Sequence, residues 1–263
     1  MSRPLVYAHR GGAKLRPENT LASFDNGLAL GADGLELDVR LSKDGQVVVH
    51  HDANLDRTTS ATGPVADLTA AELAGVDAGY HFRAVDAATP AFPFRGAGIG
   101  VPTLAAVLAR YPGVPLIIEL KLGSAELARK TLELAIVAGA LERIAIGSFS
   151  GEALRAARQF APGVRTGAGR EETRWALYRS WVRWPLRRPA YHEFQVPERS
   201  GRTTVVTRRF VEHAHRAGVA VKVWTVDEEP DMHRLLDWGV DGLISDRPDI
   251  AVAVVNARAS RRS

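Results

Sequence analysis

Short apolar runs alternate with amphipathic stretches along the whole chain. Leu5 to Ala8 reads as a first strand. Leu21, Phe24 and Leu28 then fall at helical spacing, with Gly31 placed to stop that helix. Gly34 to Val39 reads as a second strand, and Gln46 to His50 as another beyond the turn Lys43-Asp44-Gly45. Pro115 to Leu120 is an almost unbroken apolar strand, the pattern of a parallel sheet buried on both faces. Arg143 to Ile146, Val164 to Ala168, Tyr191 to Val196, Val219 to Trp224 and Val240 to Ile244 continue the series. Thr207 is placed to cap a helix carrying Phe210, Val211 and Ala214 and closed by Gly218. Pro230 suits the first turn of another, carrying Leu235 and Leu236 and closed by Gly239. Asp246 is placed to cap a last helix with Pro248 in its first turn.

A strand-then-helix rhythm repeated about eight times predicts a parallel α/β architecture. The length of 263 residues suits a single domain, since one (βα)8 barrel of the TIM type takes roughly 250. No G-x-G-x-x-G follows the first strand, which counts against a dinucleotide-binding open sheet. The rhythm breaks between residues 53 and 100. That stretch holds one helix start at 67–73 and then a Gly-, Pro- and Phe-rich loop, and an insertion of this size near strand ends predicts a cap over a site.

Composition narrows the chemistry. There are 34 basic and 30 acidic residues, and only five of the basic ones are Lys. A net charge of +4 permits attraction to anionic substrates, but the scatter of basic residues gives no footprint for nucleic acid. The absence of cysteine excludes disulfides, thiolate metal sites and Cys nucleophiles. No apolar run reaches the length of a membrane span, and the start of the chain lacks a secretory h-region, so a cytoplasmic location is expected.

Polar residues gather at the C-terminal ends of the expected strands, where barrels of this kind carry their active sites. His9-Arg10-Gly11-Gly12 follows the first strand. Arg10 offers a planar fork for two phosphate oxygens, and His9 a proton carrier near neutral pH. Glu36 and Asp38 lie two apart on one strand and so face the same way, with Leu35, Leu37 and Val39 on the opposite face. Glu119 and Lys121 repeat the arrangement. Inward carboxylates are costly unless a cation or a basic partner compensates them; if a metal does so, oxygen-only ligands favour Mg²⁺ or Ca²⁺, and the alternative is rim carboxylates paired with arginine or lysine. His50 and His51 are adjacent, so at most one enters the site from a continuing strand. Trp224 stands at a strand end, where an indole can pack on the carbon skeleton of a small ligand.

His9-Arg10-Gly11-Gly12, Pro17-Glu18-Asn19-Thr20, the stretch from Gly31 to Val39, and Ser42-Lys43-Asp44-Gly45 appear in that order. His51-Asp52 with Leu55-Asp56-Arg57-Thr58, Ile118 to Lys121, Ser148-Phe149, Val223 to Val226, and Asp241-Gly242 with Ser245 to Pro248 follow. The ordered set resembles the glycerophosphodiester phosphodiesterase family over nearly the whole chain. The resemblance implies a (βα)8 barrel with a small insertion after the second strand unit. It implies that His9 and His51 form the general acid–base pair, leaving His50 structural. It implies that Glu36, Asp38 and Glu119 bind a divalent metal, that Arg10 and Lys121 hold phosphate, and that Trp224 contacts the glycerol or its substituent. The implied reaction yields sn-glycerol 3-phosphate and an alcohol, by direct water attack or through a cyclic phosphate, and belongs to lipid and glycerol metabolism. The alternatives are a lysophospholipase D-like activity on lipids and a non-catalytic module for phosphorylated ligands. Discrimination of the head group is expected from the 53–100 insertion, from Trp224, and from the strand end at Gln195, Pro197 and Glu198, where Glu198 would attract a cationic head group. The Trp- and Arg-rich stretch at 174–188 is expected to cover the barrel side, with peripheral membrane contact as the alternative. Neither oligomeric state nor the choice between the two metals follows from the sequence.

Overall fold

A computed structural model describes residues 3–83 and 91–260. The chain runs β1 (Leu5–His9), α1 (Leu21–Ala29), β2 (Gly34–Leu41), β3 (Val47–Val49), α2 (Ala70–Gly75), α3 (Leu104–Arg110), β4 (Leu116–Leu120), α4 (Ala125–Val137) and β5 (Ile144–Gly147). It continues with α5 (Gly151–Phe160), β6 (Arg165–Thr166), α6 (Arg170–Trp181), β7 (Glu193–Pro197), β8 (Arg199–Ser200) and β9 (Thr203–Thr204). The last elements are α7 (Arg208–Arg216), β10 (Ala220–Trp224), α8 (Glu229–Trp238), β11 (Gly242–Ser245) and α9 (Pro248–Ser260). Eight parallel strands neighbour one another in the order β6-β5-β4-β2-β1-β11-β10-β7. A single parallel bridge between Gly167 and Glu193 brings the two ends of that series together. The result is a nearly closed (βα)8 barrel: the parallel α/β order follows the strand–helix rhythm, and the closure follows the family resemblance.

Strand alternation sorts side chains into two shells. Leu35, Leu37 and Val39 of β2, Leu116, Ile118 and Leu120 of β4, and Val221 and Val223 of β10 point outward into the main core beneath the helices. Tyr7, Ile117, Ala145 and Ile244 fill the inside of the barrel, with Leu5 and Trp224 packed against them. Apolar area on the outer shell is the main driving term, at roughly 25 cal/mol per Å² removed from water. Helix starts follow the expected chemistry: Thr20, Thr69, Thr103, Ser124, Ser150 and Thr207 each accept a backbone N–H as caps. Gly239 closes α8 in the left-handed conformation at φ +89°.

Two expectations change here. The strand beginning near Gln46 is β3, an antiparallel partner of β2 outside the barrel ring. The insertion that follows it builds a small core of its own from Leu55, Val65, Leu73, Ala78 and Val101 against Val48. Part of this expected cap, residues 84–90, lies outside the described residues. Among the described residues no helix is long and apolar enough to cross a membrane.

Candidate active site at the barrel rim

A cavity of about 490 Å³ opens at the C-terminal ends of the strands. His9, Arg10, Glu36, Asp38, His51, Glu119, Lys121 and Trp224, eight of the residues singled out by sequence, all line it. Register explains the convergence: His9 pairs with Glu36 across β1 and β2, and Asp38 with Glu119 across β2 and β4. The strand periodicity of two then places the four on one interior face.

At the end of β1 the backbone turns through Arg10 (φ 49°), Gly11 (φ 87°) and Gly12 (φ 100°). A Cβ on Gly11 would meet the Ser23 hydroxyl at 2.4 Å, so only glycine lets α1 lie this close behind the loop. The turn aims Arg10 inward. Its Nη1 donates to Glu18 Oε1 at 3.0 Å, its Nε lies 3.1 Å from Asp38 Oδ2, and its backbone N–H donates to Glu36 Oε2 at 3.2 Å. Asn19 Nδ2 donates to Asp38 Oδ2 at 2.8 Å, and Lys121 Nζ stands 2.9 Å from Asp38 Oδ1. Burial disfavours the ionised Asp38, but Lys121 and Arg10 outweigh it and hold the carboxyl below the usual range.

Glu36 and Glu119 are less well matched. Burial, then the neighbouring Asp38, pushes Glu36 up to about 7. Burial pushes Glu119 up to about 8 against the pull of Lys121, with Asp38 and Glu36 adding to the rise. Room for Glu119 comes from Gly147 at the end of β5. A Cβ there would sit 2.3 Å from Glu119 Oε2 and 2.6 Å from Gln195 Oε1.

Each cavity histidine has a carboxylate behind it. His9 Nδ1 is 2.7 Å from Asp246 Oδ1, and its Nε2 lies 3.8 Å from Glu36 Oε2. His51 Nδ1 is 2.6 Å from Asp52 Oδ1. Arg57 binds the other oxygen of Asp52 and both oxygens of Glu18, tying this pair back to Arg10. Carboxylates at both Nδ1 atoms leave the two Nε2 atoms for the cavity. Burial works to lower His9, but Glu36 and Asp246 raise it overall. Burial lowers His51, with Asp38 opposing. His50 is buried and its Nδ1 lies 3.0 Å from the Asp52 carbonyl, with Thr58 at Nε2. It is absent from the cavity lining.

Other expectations are corrected. Asp246 orients His9 instead of spending its carboxylate on a cap for α9. Glu198 is held in a two-point ion pair with Arg234, at 2.8 and 2.9 Å, and does not line the cavity, so it offers no free charge to a head group. Gln195 and Pro197 do line it. None of the described residues of the 53–100 insertion lines it. The wall comes instead from α6, through Arg170, Thr173, Arg174, Leu177, Tyr178 and Trp181. Trp224 packs edge-to-face on Phe149, 6.0 Å between centroids. Its strand partner Lys222 also points inward, where it binds Glu193 and the Tyr7 hydroxyl. That settles the face of β10: both side chains are interior, one deep and one at the rim. Nothing local in the sequence marked Asp246 as a partner of His9, because 237 positions separate them.

Buried acid, two back-bonded histidines and two cations at the mouth of a (βα)8 barrel define a site of the phosphoryl-transfer type. The model of the glycerophosphoryl diester phosphodiesterase family matches residues 9–250, and the chain belongs to that family. A glycerophosphodiester phosphodiesterase from Caldanaerobacter subterraneus subsp. tengcongensis is 34% identical over 96% of this chain and 98% of its own length. The glycerophosphoryl diester phosphodiesterase domain of a Mycobacterium tuberculosis protein superposes with a TM-score of 0.83 over 98% of this chain and all of that one; at 22% identity this is a likeness of fold. An Oleispira antarctica phosphodiesterase, solved with its product sn-glycerol-3-phosphate, has a TM-score of 0.76 at 25% identity, covering 96% of this chain and 97% of that one.

Proposed function

We propose that this chain hydrolyses glycerophosphodiesters to sn-glycerol 3-phosphate and an alcohol, with His9 and His51 as the acid–base pair. The observation that carries the reading is the pair of Nδ1–carboxylate contacts, His9 with Asp246 and His51 with Asp52, across a centre of Arg10, Lys121 and Asp38. Two imidazoles anchored at Nδ1, with His9 Nε2 only 3.8 Å from Glu36, divide the proton traffic of a diester cleavage: one takes a proton from the attacking oxygen, and the other gives one to the leaving alcohol. Such a group typically contributes 10²–10⁴-fold. Arg10 and Lys121 balance charge on the phosphoryl oxygens. Trp224 and Phe149 form an aromatic wall for the carbon skeleton.

A divalent cation fits the donor set. The candidates are all oxygen donors, Asp38 Oδ1 is buried with no partner beyond the Lys121 ion pair, and burial, with Asp38 adding, holds Glu36 and Glu119 at about 7 and 8 against the nearby cations. Against this, Arg10 and Lys121 crowd Asp38, and among the described residues no three His, Asp or Glu side chains stand as a finished cage. Glu36, Asp38 and Glu119 would hold the ion, which supplies charge to the phosphoryl oxygens when bound. The lipid-directed reading draws on one observation: Leu177, Tyr178, Trp181, Val196 and Val205 give the cavity an apolar side where an acyl chain fits.

The test is an assay of purified protein on glycerophosphocholine, glycerophosphoethanolamine and the matching lysolipids, with chelator and with Mg²⁺ or Ca²⁺ restored. A higher kcat/KM on the water-soluble diesters, lost on chelation, is expected. Undiminished turnover in metal-free protein removes the metal from the reading. A ratio favouring the lysolipid transfers the assignment to the lipid-directed alternative.

A further inference from the structure

The chain's basic surplus has an address. Between residues 170 and 216 there are eleven arginines and five glutamates; the remaining 23 basic residues face 25 acidic ones. The same segment carries four of the six large exposed aromatic side chains among the described residues, the others being Phe149 and Phe160. Trp175 is 63% exposed, Trp181 50% and Trp184 62%, with Tyr178 and Val182 beside them. Trp175, Tyr178 and Trp181 follow one another at helical spacing on α6, with centroids 6.2 and 5.2 Å apart. Isolated exposed apolar residues are ordinary, but a cluster on one helix and the loop after it is not.

Behind this cluster, a groove of about 500 Å³ lies between the end of α6 and α7. Arg183, Arg208, Arg209 and Arg216 line it, with His213 and Glu212. The one ion pair in it among the described residues is Arg216 with Glu212, at 3.8 Å. Arg208 and Arg209 reach only backbone carbonyls, those of Asp237 and Trp181. His213 is 4% exposed, and its Nε2 has no hydrogen-bond partner. Four guanidinium groups and an unpartnered buried imidazole form a receptor for an oxyanion. The groove joins the cavity wall through Trp181, whose side chain lines the cavity and whose carbonyl takes Arg209.

We propose that this face docks on an anionic phospholipid bilayer. The arginines of the α6–α7 groove take headgroup phosphates, and the indoles of 175–184 enter the interface beside the cavity mouth. Aromatic rings with one polar edge favour the headgroup level, and arginine is the side chain suited to planar phosphate recognition. Negative lipid is the occupant whose charge complements this segment and whose interface suits indole. Docking is independent of the proposed reaction; only its consequence, that the cavity meets substrate at the membrane surface, rests on that reading.

The experiment is co-sedimentation of the full chain, without substrate, with vesicles of phosphatidylcholine alone or with added phosphatidylglycerol. Partitioning is expected to rise steeply with the anionic fraction and to fall with salt. Each arginine near an anionic leaflet is worth roughly five-fold in partitioning. Arg183→Glu, Arg208→Glu and Arg209→Glu together should therefore weaken binding by more than ~100-fold, and Trp184→Ala should weaken it several-fold while leaving hydrolysis of a soluble diester unchanged. A thermal melt confirms that the variants are folded, and the corresponding Arg→Gln triple serves if the reversals are not. Equal binding to neutral and anionic vesicles, no binding to either, or parental binding by the triple variant overturns the proposal. So does a stable dimer that hides Trp184. Because vesicle binding is read without substrate, an inactive but vesicle-binding protein would refute the proposed reaction and leave the docking intact.

Discussion

The barrel holds two sets of inward-facing charges at different depths, and they are finished differently. Deep inside, Lys222 donates to both oxygens of Glu193, at 2.8 and 2.9 Å, and to the Tyr7 hydroxyl, while Gln195 donates to Glu193 as well. Burial opposes ionised Glu193, yet Lys222 and Gln195 hold its carboxyl low. One layer higher, at the rim, Glu36 and Glu119 are pushed up to about 7 and 8. Both sets are costly to bury. The deep set is compensated by its own neighbours and has no access to a ligand. The rim set is under-compensated where the cavity begins. Buried charge alone does not mark function; the mismatch between a charge and its partners does.

Removing rim chemistry should give the largest effect. His9→Ala or His51→Ala is expected to lower kcat by roughly 10²–10⁴-fold with little change in Tm, read by steady-state kinetics beside a thermal melt. His50→Ala serves as the control and should leave turnover near the parent value, because His50 bonds to the Asp52 carbonyl away from the cavity. A large kinetic loss at His50 would reverse the assignment of this strand end.

The deep pair should behave in the opposite sense. Lys222→Met leaves a fully buried Glu193 with only the half-exposed Arg165, at 3.4 Å, as a cation and is expected to reduce stability by up to roughly 3–5 kcal/mol, measured by denaturant unfolding. Adding Glu193→Leu should recover most of the loss. If the double variant is as unstable as the single, the pair contributes more than mutual neutralisation.

A smaller, pH-dependent effect belongs to Glu119. Its folded pKa of about 8 lies above its ordinary value of 4.5. The folded state therefore holds a proton that the unfolded state releases. The associated stability is full below 4.5 and is lost as pH rises through about 8. In metal-free protein, Glu119→Gln should raise Tm by an amount that grows across that window to on the order of a few °C. Added Mg²⁺ or Ca²⁺ should shift the balance back toward the parent. A Tm gap that is constant with pH would show that Glu119 is compensated in the fold. Least of all is expected from Glu198→Gln: with its carboxylate committed to Arg234, the preference between choline and ethanolamine diesters should not move.

What could be read from sequence follows the range of the physics. Strand alternation placed Glu36 with Asp38, and Glu119 with Lys121, because a period of two is local. The apolar runs at 34–39 and 115–120 became β2 and β4 within one or two residues. Adjacent-residue alternation could not choose between His50 and His51, and the ordered family motifs did. Pairings set by ring closure were out of reach. Asp246 reads locally as a helix cap and finds His9 only because β11 lies beside β1. Glu198 reads as a free rim carboxylate until α8 brings Arg234 to it. The 53–100 insertion reads as a lid from its size, yet its apolar residues close on themselves with Val48, and α6 forms the wall instead.

The neighbourhood of β1 and β11 has a consequence in time. Residues Leu5 to Ala8 find one of their two strand partners in Gly242 to Ser245, and His9 finds its carboxylate in Asp246. A ribosome adding roughly 5–20 residues per second leaves His9 without that partner for on the order of 10–50 s. Until then the emerging barrel has an open strand edge, and its acidic rim lacks one of its two histidine supports. A stalled or prematurely terminated product ending before residue 246 would carry the rim carboxylates without the Asp246 contact to His9.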